Sequence, residues 1–292
     1  MIIQVGRVGT LFRYPVKSMG GETPDHVDLL HEGVAGDRYW ALRDEVRGGI
    51  TGAKRFPGLM DFSSQLSDES SPEGGPVATI VFPDGRRLLT SDPETGDRIS
   101  EALGKPVTLW PLVPADQTDH YLRGAPVHED METELRSIFA RTEEESLPDL
   151  SIFPPEVLQF ASPPGSYFDA FPLHLLTDTS LSTLQERAPD TVMDVRRFRP
   201  NILIDEVEGD TAFPEAAWCG QRLALGEAEV EIMSECPRCV MTTHGFKEIP
   251  KDPTVMRTLV RENGGNLGVY ARPLKAGRIR VGDAVRLLPA SA

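Results

Sequence analysis

The pattern of hydrophobic and polar positions in the first 112 residues predicts a region built mainly of strands. Residues 77–82 form an apolar, β-branched run, a Pro-Asp-Gly cluster follows, and residues 86–90 return as a second run. Two runs joined by such a cluster are typical of a β-hairpin. Residues 1–7 and 107–110 have the composition of two further strands.

Three helices are predicted, each between a capping residue and a residue that commonly stops a helix. The caps are Asp92, Asp178 and Asp252, and the stops are Gly104, Pro189 and Gly264. Pro253, after the third cap, suits the first turn of a helix because that position needs no backbone N–H. Strands are predicted in the second half at 201–204, at 230–233, over the β-type run 240–243, and as a final pair over 279–287 turned at Gly282-Asp283.

This alternation of many short strands with few helices predicts a mainly β protein of the α+β class, with curved sheets or barrels and peripheral helices. Residues 67–76 and 142–166 are crowded with Ser, Glu, Gly and Pro and predict loops. A chain of 292 residues is long enough for two domains. We place them at 1–115 and 116–292, with the boundary ahead of the second loop.

The acidic composition limits the classes of partner. A formal net charge of −15 repels phosphate backbones and anionic membranes, so we expect neither nucleic acid nor membrane as a partner. The N-terminus lacks the features of a secretory signal, which predicts a cytoplasmic protein. Three cysteines cannot supply an all-cysteine iron–sulfur cluster, which needs four thiolates.

Candidate chemistry centres on Cys236-Pro237-Arg238-Cys239. A thiolate is both a nucleophile and a soft metal ligand, and an adjacent Arg favours the ionised form. The spacing alone also fits half of a zinc site, a redox dithiol or two packed thiols. His174, in an apolar segment, is interpreted as a satisfied histidine in or near the core.

Basic residues stand out in this acidic chain. For any single Lys or Arg a solvated surface position is the default interpretation. Lys17 in Tyr14-Pro15-Val16-Lys17-Ser18 and Arg199 in Phe198-Arg199-Pro200-Asn201 have apolar and proline neighbours that would hold the charged group in place. Fixed cations with Ser and Asn donors beside them are what a bound phosphate requires.

Taken in order, these fragments resemble the MOSC family in its two-part form, an N-terminal MOSC β-barrel domain ahead of a MOSC domain. Within that family the pattern is most similar to the mitochondrial amidoxime reducing component and its bacterial counterparts. The matching motifs cover nearly the whole chain: 14–18, 33–40, 175–181, 197–202, 236–243 and 277–283.

The resemblance implies a molybdenum cofactor, in which a pterin dithiolene and one protein cysteine hold the metal. It places that metal-binding and catalytic cysteine at Cys239. The implied cofactor-binding residues are Lys17, Ser18, Arg38, Thr179, Ser180, Arg199, Asn201 and Arg238. The segment after Thr243 departs from the Asp-Pro sequence common in the mitochondrial proteins, so the substrate rim is expected to differ.

The implied reaction reduces an N-hydroxylated small molecule to the corresponding N–H compound. The chain carries no cluster, flavin or nicotinamide signature, so a separate electron donor of the ferredoxin, flavin or cytochrome type is implied. Two alternatives stay open: a sulfurase-type role in which Cys236 or Cys239 carries a persulfide to the cofactor, and a non-catalytic cofactor carrier.

Overall fold

Strands make up most of the regular structure, as the sequence pattern predicts. The computed structural model describes residues 2–70, 75–151, 153, 159–207, 209 and 211–289. Within these residues lie sixteen strands: β1 Ile3–Leu11, β2 His26–Leu30, β3 Gly33–Val34, β4 Trp40–Asp44, β5 Ile50–Thr51, β6 Ser63–Ser70, β7 Pro76–Val81, β8 Arg87–Leu89, β9 Val107–Pro111, β10 Leu173–Thr177, β11 Ile202–Asp205, β12 Arg222–Leu225, β13 Ala228–Pro237, β14 Asn266–Lys275, β15 Gly277–Arg280 and β16 Ala284–Leu288.

Helices are few and short. The same residues form five α-helices: α1 Thr95–Leu103, α2 Thr118–Tyr121, α3 Met131–Phe139, α4 Asp178–Arg187 and α5 Thr254–Asn263. Short 3-10 helices occupy Pro57–Asp61, Val195–Arg197, Pro214–Trp218 and Val240–Thr243. In the described part of the chain, no helix has the length and apolar character needed to cross a membrane.

Seven strands close into a barrel in the order β1-β11-β10-β14-β13-β12-β16. β1 pairs antiparallel with β11 and β16, so that Leu11 lies opposite Ile202 and Ile3 lies opposite Leu287. The predicted mainly β fold with few helices is therefore confirmed. The predicted boundary at residue 115 stays a prediction, and the N-terminal β1 shares its sheet with strands from beyond that position.

The barrel interior is filled by aliphatic side chains from alternate strand positions. Leu175, Ile204, Val230 and Val285 have no exposed surface, and Val8 of the N-terminal strand joins them. Each such side chain contributes about 1.5–3 kcal/mol relative to an exposed position. The barrel thus provides a rigid frame from whose strand ends the site residues project.

A second core lies beneath the sheets β5-β4-β9 and β6-β7-β8. The predicted hairpin is confirmed as β7 and β8, with Ile80 opposite Leu88. This core also takes in Met241 and Phe246 from the C-terminal half, and the partly buried Cys239 packs against it. The segment around Cys239 therefore joins the two halves of the molecule.

The three predicted helices are present, but none of the three predicted Asp residues is the N-cap: Thr177 caps α4, Pro253 precedes α5 without a side-chain cap, and α1 is also uncapped. α1 begins at Thr95 without a side-chain cap. The Asp92 carboxylate instead accepts a hydrogen bond from the Leu89 N–H at 2.8 Å, within the turn that precedes the helix. Gly104 ends the helix as predicted, at φ 61°, a left-handed conformation that glycine adopts without a steric penalty.

The predicted final strand pair is wrong in its partners. β15 pairs with β2, whereas β16 pairs with β1 and β12 in the barrel. The turn at Gly282 is present at φ 89°, but its N–H donates to the Val8 carbonyl and Asp283 accepts from the Val8 N–H. These contacts with β1 separate the two strands into different sheets.

The two predicted loops have different outcomes. In the first, β6 continues through Ser70, so residues 67–70 are strand rather than loop, and residues 71–74 lie outside the described residues. In the second, the described residues of 142–166 are turns, bends and irregular segments, apart from a helical residue at 159 and a short bridge between Leu122 and Phe160.

Candidate functional site

The backbone around Cys239 differs from the sequence prediction. Residues 240–243, predicted as a β-type run, form a 3-10 helix with Cys239 as its N-cap. The Thr242 N–H and hydroxyl both donate to the Cys239 carbonyl, at 3.1 and 3.0 Å, and the Thr243 hydroxyl donates to the Val240 carbonyl at 2.8 Å. Threonine hydroxyls that satisfy turn carbonyls override the strand preference of β-branched residues. The partly buried Cys239 side chain begins this turn.

Cys236 and Cys239 have different environments. Cys236 is fully buried, and its sulfur accepts a hydrogen bond from Arg238 Nη1 at 2.7 Å. Burial raises the pKa of the Cys236 thiol more than the Arg238 charge lowers it, so Cys236 is protonated at neutral pH. Arg238 Nη2 donates to the Phe198 carbonyl at 2.6 Å, while its buried Nε has no hydrogen-bond partner among the described residues. Of the two cysteines, Cys239 is the accessible one.

Two further guanidinium groups meet at the ring of Tyr14. The Cζ atoms of Arg199 and Arg38 lie 4.0 and 5.1 Å from the ring centroid, within the range of cation–π attraction. Arg199 Nη1 donates to the Met19 carbonyl, and its buried Nη2 has no partner in the described part of the chain. Burial lowers the pKa of Arg199 to about 10, so the group is still a cation at neutral pH.

Asn201 and Asp37 link these residues into one network. Asn201 Nδ2 donates to Asp37 Oδ2 at 3.1 Å, and Arg38 Nη1 donates to the same carboxylate oxygen. Asn201 Oδ1 accepts from the His174 N–H at 3.3 Å. The structure therefore brings the predicted Asn201 beside Arg38. Both the nitrogen and the oxygen of its side-chain amide already have hydrogen-bond partners within the protein.

Lys17 and Ser18, from the same motif as Tyr14, contact a separate group of residues. Lys17 Nζ donates to the Tyr167 carbonyl at 2.6 Å, to Asp169 Oδ1 at 2.8 Å and to Ser162 Oγ at 3.3 Å. The Ser18 hydroxyl faces Gly52, where an added Cβ would come within 2.5 Å of its oxygen. A lysine has three N–H donors, so those of Lys17 are all engaged with protein acceptors.

Asp169 and Lys54 belong to the site although the sequence interpretation gave neither a role. Asp169 Oδ2 pairs with Lys54 Nζ at 3.1 Å, while Oδ1 pairs with Lys17. Burial would raise the pKa of Asp169, but the two ammonium groups hold it well below its usual range. The sequence shows Lys54 as a basic residue without a motif that predicts its role, and no short motif includes Asp169.

Thr179 and Ser180, the remaining predicted cofactor ligands, are not brought to this group. They lie in the first turn of α4, at the far end of β10 from His174. A five-residue strand spans roughly 13 Å at about 3.3 Å per residue. The Ser180 hydroxyl is engaged by the buried Glu215 carboxylate at 2.5 Å.

The backbone is strained at the predicted ligands. Six non-glycine residues in the described ranges have positive φ, and three of them are Ser18 at 69°, Arg38 at 49° and Arg199 at 54°. Such conformations cost of the order of 1–3 kcal/mol each and concentrate at functional sites. Three of the residues that the resemblance implies as cofactor ligands, Ser18, Arg38 and Arg199, therefore have a strained backbone.

The charges in this region do not balance. We call the basic cluster the cations Lys17, Arg38, Lys54, Arg199 and Arg238 together with the carboxylates Asp37 and Asp169. Five cations face two carboxylates, and buried charges are stable only when they are compensated. The basic cluster therefore carries an excess of positive charge close to Cys239, which an anionic ligand would compensate.

His174 is buried at the edge of the basic cluster. Its Nε2 lies 3.0 Å from the Leu267 carbonyl, so a neutral ring can donate there. Burial and the Arg238 charge hold the pKa of His174 well below its usual range. The interpretation of His174 as a satisfied core histidine is confirmed.

Lowering the pH is expected to destabilise the fold through His174. Below about pH 6.5 the unfolded chain takes up a proton that the folded protein resists, so the unfolded state binds more protons and the free energy of unfolding falls. The contribution approaches about 1.4 kcal/mol per pH unit. Urea denaturation between about pH 7.5 and 5.5 should show a shallower slope for His174→Gln, whose amide can still donate to Leu267. Identical slopes would contradict this role.

Comparisons with known proteins identify the family of this chain. The family model described as MOSC N-terminal beta barrel domain matches residues 5–85, and the MOSC domain model matches residues 163–286. Mitochondrial amidoxime reducing component 2 of Bos taurus is 27% identical over 97% of this chain and 83% of its own length. The Homo sapiens protein of the same name is 28% identical with the same coverage.

Among solved structures, the YUAD protein from Bacillus subtilis aligns over 100% of this chain and 99% of its own, at 10% identity and a TM-score of 0.47. The two family models occur in the order that the sequence motifs predict and together match well over half of the chain. This chain therefore belongs to the MOSC family, with a MOSC N-terminal β-barrel domain followed by a MOSC domain.

Proposed function

We propose that this protein binds the molybdenum cofactor and reduces N-hydroxylated compounds with electrons from a separate donor protein. The observation that carries the proposal is the excess positive charge of the basic cluster beside an accessible Cys239. Relatives named amidoxime reducing components, matched over 97% of this chain, support the reaction class.

The residues fit an anionic, phosphate-bearing cofactor. Arg199 Nη2 and Arg238 Nε are buried donors without partners among the described residues. An unsatisfied buried donor costs about 1–3 kcal/mol, and more when it is charged. A phosphate or pterin acceptor at these atoms would remove that cost, and planar guanidinium groups are well matched to phosphate oxygens.

Arg38, Arg199 and Arg238 would hold the cofactor, and Cys239 would bind its metal. When bound, the cofactor would supply a two-electron metal centre, while the protein provides position, charge and access. Tyr14 and Asp37 fix the two guanidinium groups nearest to them, because the ring stacks against both and the carboxylate pairs with Arg38. Lys17, whose N–H donors are engaged by protein atoms, contributes mainly charge.

Elemental analysis combined with a reductase assay tests the proposal. A reductase retains molybdenum after purification and reduces benzamidoxime with an artificial electron donor. A sulfur carrier instead shows cyanide-labile sulfur on Cys239 and no turnover. A protein that retains cofactor and shows neither property would be a carrier, and a protein that binds no molybdenum under cofactor-replete expression would overturn the proposal.

Replacing Arg199 with alanine is expected to weaken cofactor retention by about 1.5–3 kcal/mol, the contribution of a charge-assisted hydrogen bond. This corresponds to about a 10- to 150-fold increase in Kd. Molybdenum occupancy after dialysis measures the effect. Arg196→Ala is the control, because Arg196 is exposed and paired with Asp194 and Glu248. Equal occupancy in the Arg199→Ala variant and the wild type would refute the assignment.

A further inference from the structure

Asp169 pairs with two lysines, Lys17 and Lys54, which differ in how many of their ammonium N–H donors bind protein acceptors. Lys17 has a side chain only 10% exposed and gives its N–H donors to three protein acceptors. Lys54 is 34% exposed, and Asp169 is its one hydrogen-bonding partner in the described part of the chain. Since an ammonium carries three donors, Lys54 keeps donors that the protein does not engage.

The carboxylate that holds Lys54 is itself open to a ligand. Asp169 is engaged by two ammonium groups, yet 45% of its side-chain surface is accessible, so its pair with Lys54 is open to solvent. Lys54 is thus fixed at the accessible end of the basic cluster, whereas Arg199 lies at its buried end.

Lys54 also lies within electrostatic range of Cys239. Burial would lower the pKa of Lys54, but the charges of Asp169 and Cys239 together raise it. The His244 ring lies near the backbone of Ala53, so the Lys54 loop is beside the segment that follows Cys239. On its other side the loop meets Ser18 through Gly52, where a side chain would collide. The Lys54 loop therefore lies between Ser18 and the segment that follows Cys239, and the Lys54 ammonium is paired with Asp169.

We infer that Lys54 is a substrate-positioning residue, whose ammonium donates a hydrogen bond to the oxygen of the N-hydroxyl group and holds it at the Cys239 end of the basic cluster. This inference rests on the proposed function. The oxygen of an N–OH group can accept a hydrogen bond from the Lys54 ammonium. Because Asp169 balances the Lys54 charge, substrate binding does not leave an uncompensated buried cation. Arg238, paired with Cys236 and the Phe198 carbonyl, is less available for this role.

The first test needs no metal. In the full chain purified without cofactor, Cys239 is alkylated with iodoacetate, an anion, or with neutral iodoacetamide, and mass spectrometry follows the Cys239 and Cys219 peptides. The Cys239 thiolate attacks the methylene carbon of either reagent and displaces iodide, so the ratio of the two rates cancels the thiolate fraction and reports the local charge. We expect the ratio at Cys239 to fall about 3- to 10-fold in Lys54→Met. It should be unchanged in Lys54→Arg, in the exposed control Lys105→Met, and at Cys219.

The second test uses the molybdenum-loaded protein. Lys54→Met should retain molybdenum, and kcat/KM for benzamidoxime should fall about 10- to 100-fold, with partial recovery in Lys54→Arg. Loss of molybdenum from Lys54→Met would show that Lys54 holds cofactor and would overturn the inference, as would an unchanged alkylation ratio. A wild-type protein without reductase activity would overturn the proposed function and the substrate assigned to Lys54. The alkylation ratio would still show, independently of reductase activity, whether the Lys54 charge attracts an anion to Cys239.

Discussion

Replacing Cys239 with serine is expected to abolish molybdenum binding and amidoxime reduction while the fold is retained. A hydroxyl is a much poorer ligand than a thiolate for a soft metal. The backbone of Cys239, rather than its sulfur, closes the 3-10 turn, because the carbonyl accepts from Thr242. The side chain is only partly buried, so serine leaves little cavity.

The measurement for Cys239→Ser is the molybdenum content by elemental analysis, with circular dichroism melting to check the fold. Cys219→Ser is the matched control, since Cys219 is also a partly buried free cysteine but packs against the barrel core. We expect the control to keep its metal and its turnover. Full molybdenum occupancy and normal turnover in Cys239→Ser would remove the central assignment.

The parts of the fold that could be predicted from sequence follow local rules. The β7–β8 hairpin and the end of α1 at Gly104 depend on residues close in the chain, and both were correct. The failures involve distant partners. β15 and β16 separate because Val8 bonds the turn between them, about 275 residues away along the chain. Residues 240–243 bend because threonine hydroxyls bind turn carbonyls.

The same distinction applies to the candidate site. Lys17, Arg38, Arg199 and Arg238 stand in recognisable short motifs, and the structure gathers them. Asp169 belongs to the site through its contacts with Lys17, 152 residues earlier, and with Lys54, and such long-range contacts leave no local pattern. Thr179 and Ser180 show the converse, because a motif carried over from the family names residues whose hydroxyls here bond Asp178 and Glu215, respectively.

Arg197 is the clearest case of a residue whose importance only the structure reveals. The sequence shows it as one member of a basic run, yet among the described residues it is the bulkiest fully buried side chain, with 1% exposure. Its guanidinium donates to four backbone carbonyls: Val192 at 2.8 Å, Thr242 at 3.1 Å, His244 at 2.9 Å and Pro250 at 2.7 Å. Arg197 thus clamps the turn that begins at Cys239.

Replacing Arg197 with methionine, which keeps the stem and removes these donors, is expected to lower the free energy of unfolding by about 3–5 kcal/mol. The cost arises because buried carbonyls lose their partners. Urea denaturation measures it. Arg196→Met is the matched control and should cost less than about 1 kcal/mol, since its ion pairs are solvent-exposed. Arg197→Lys should recover part of the loss, because one ammonium reaches fewer carbonyls than a guanidinium fork. Equal stability of the Arg197→Met and Arg196→Met variants would mean that the turn at Cys239 is held by its own hydrogen bonds alone.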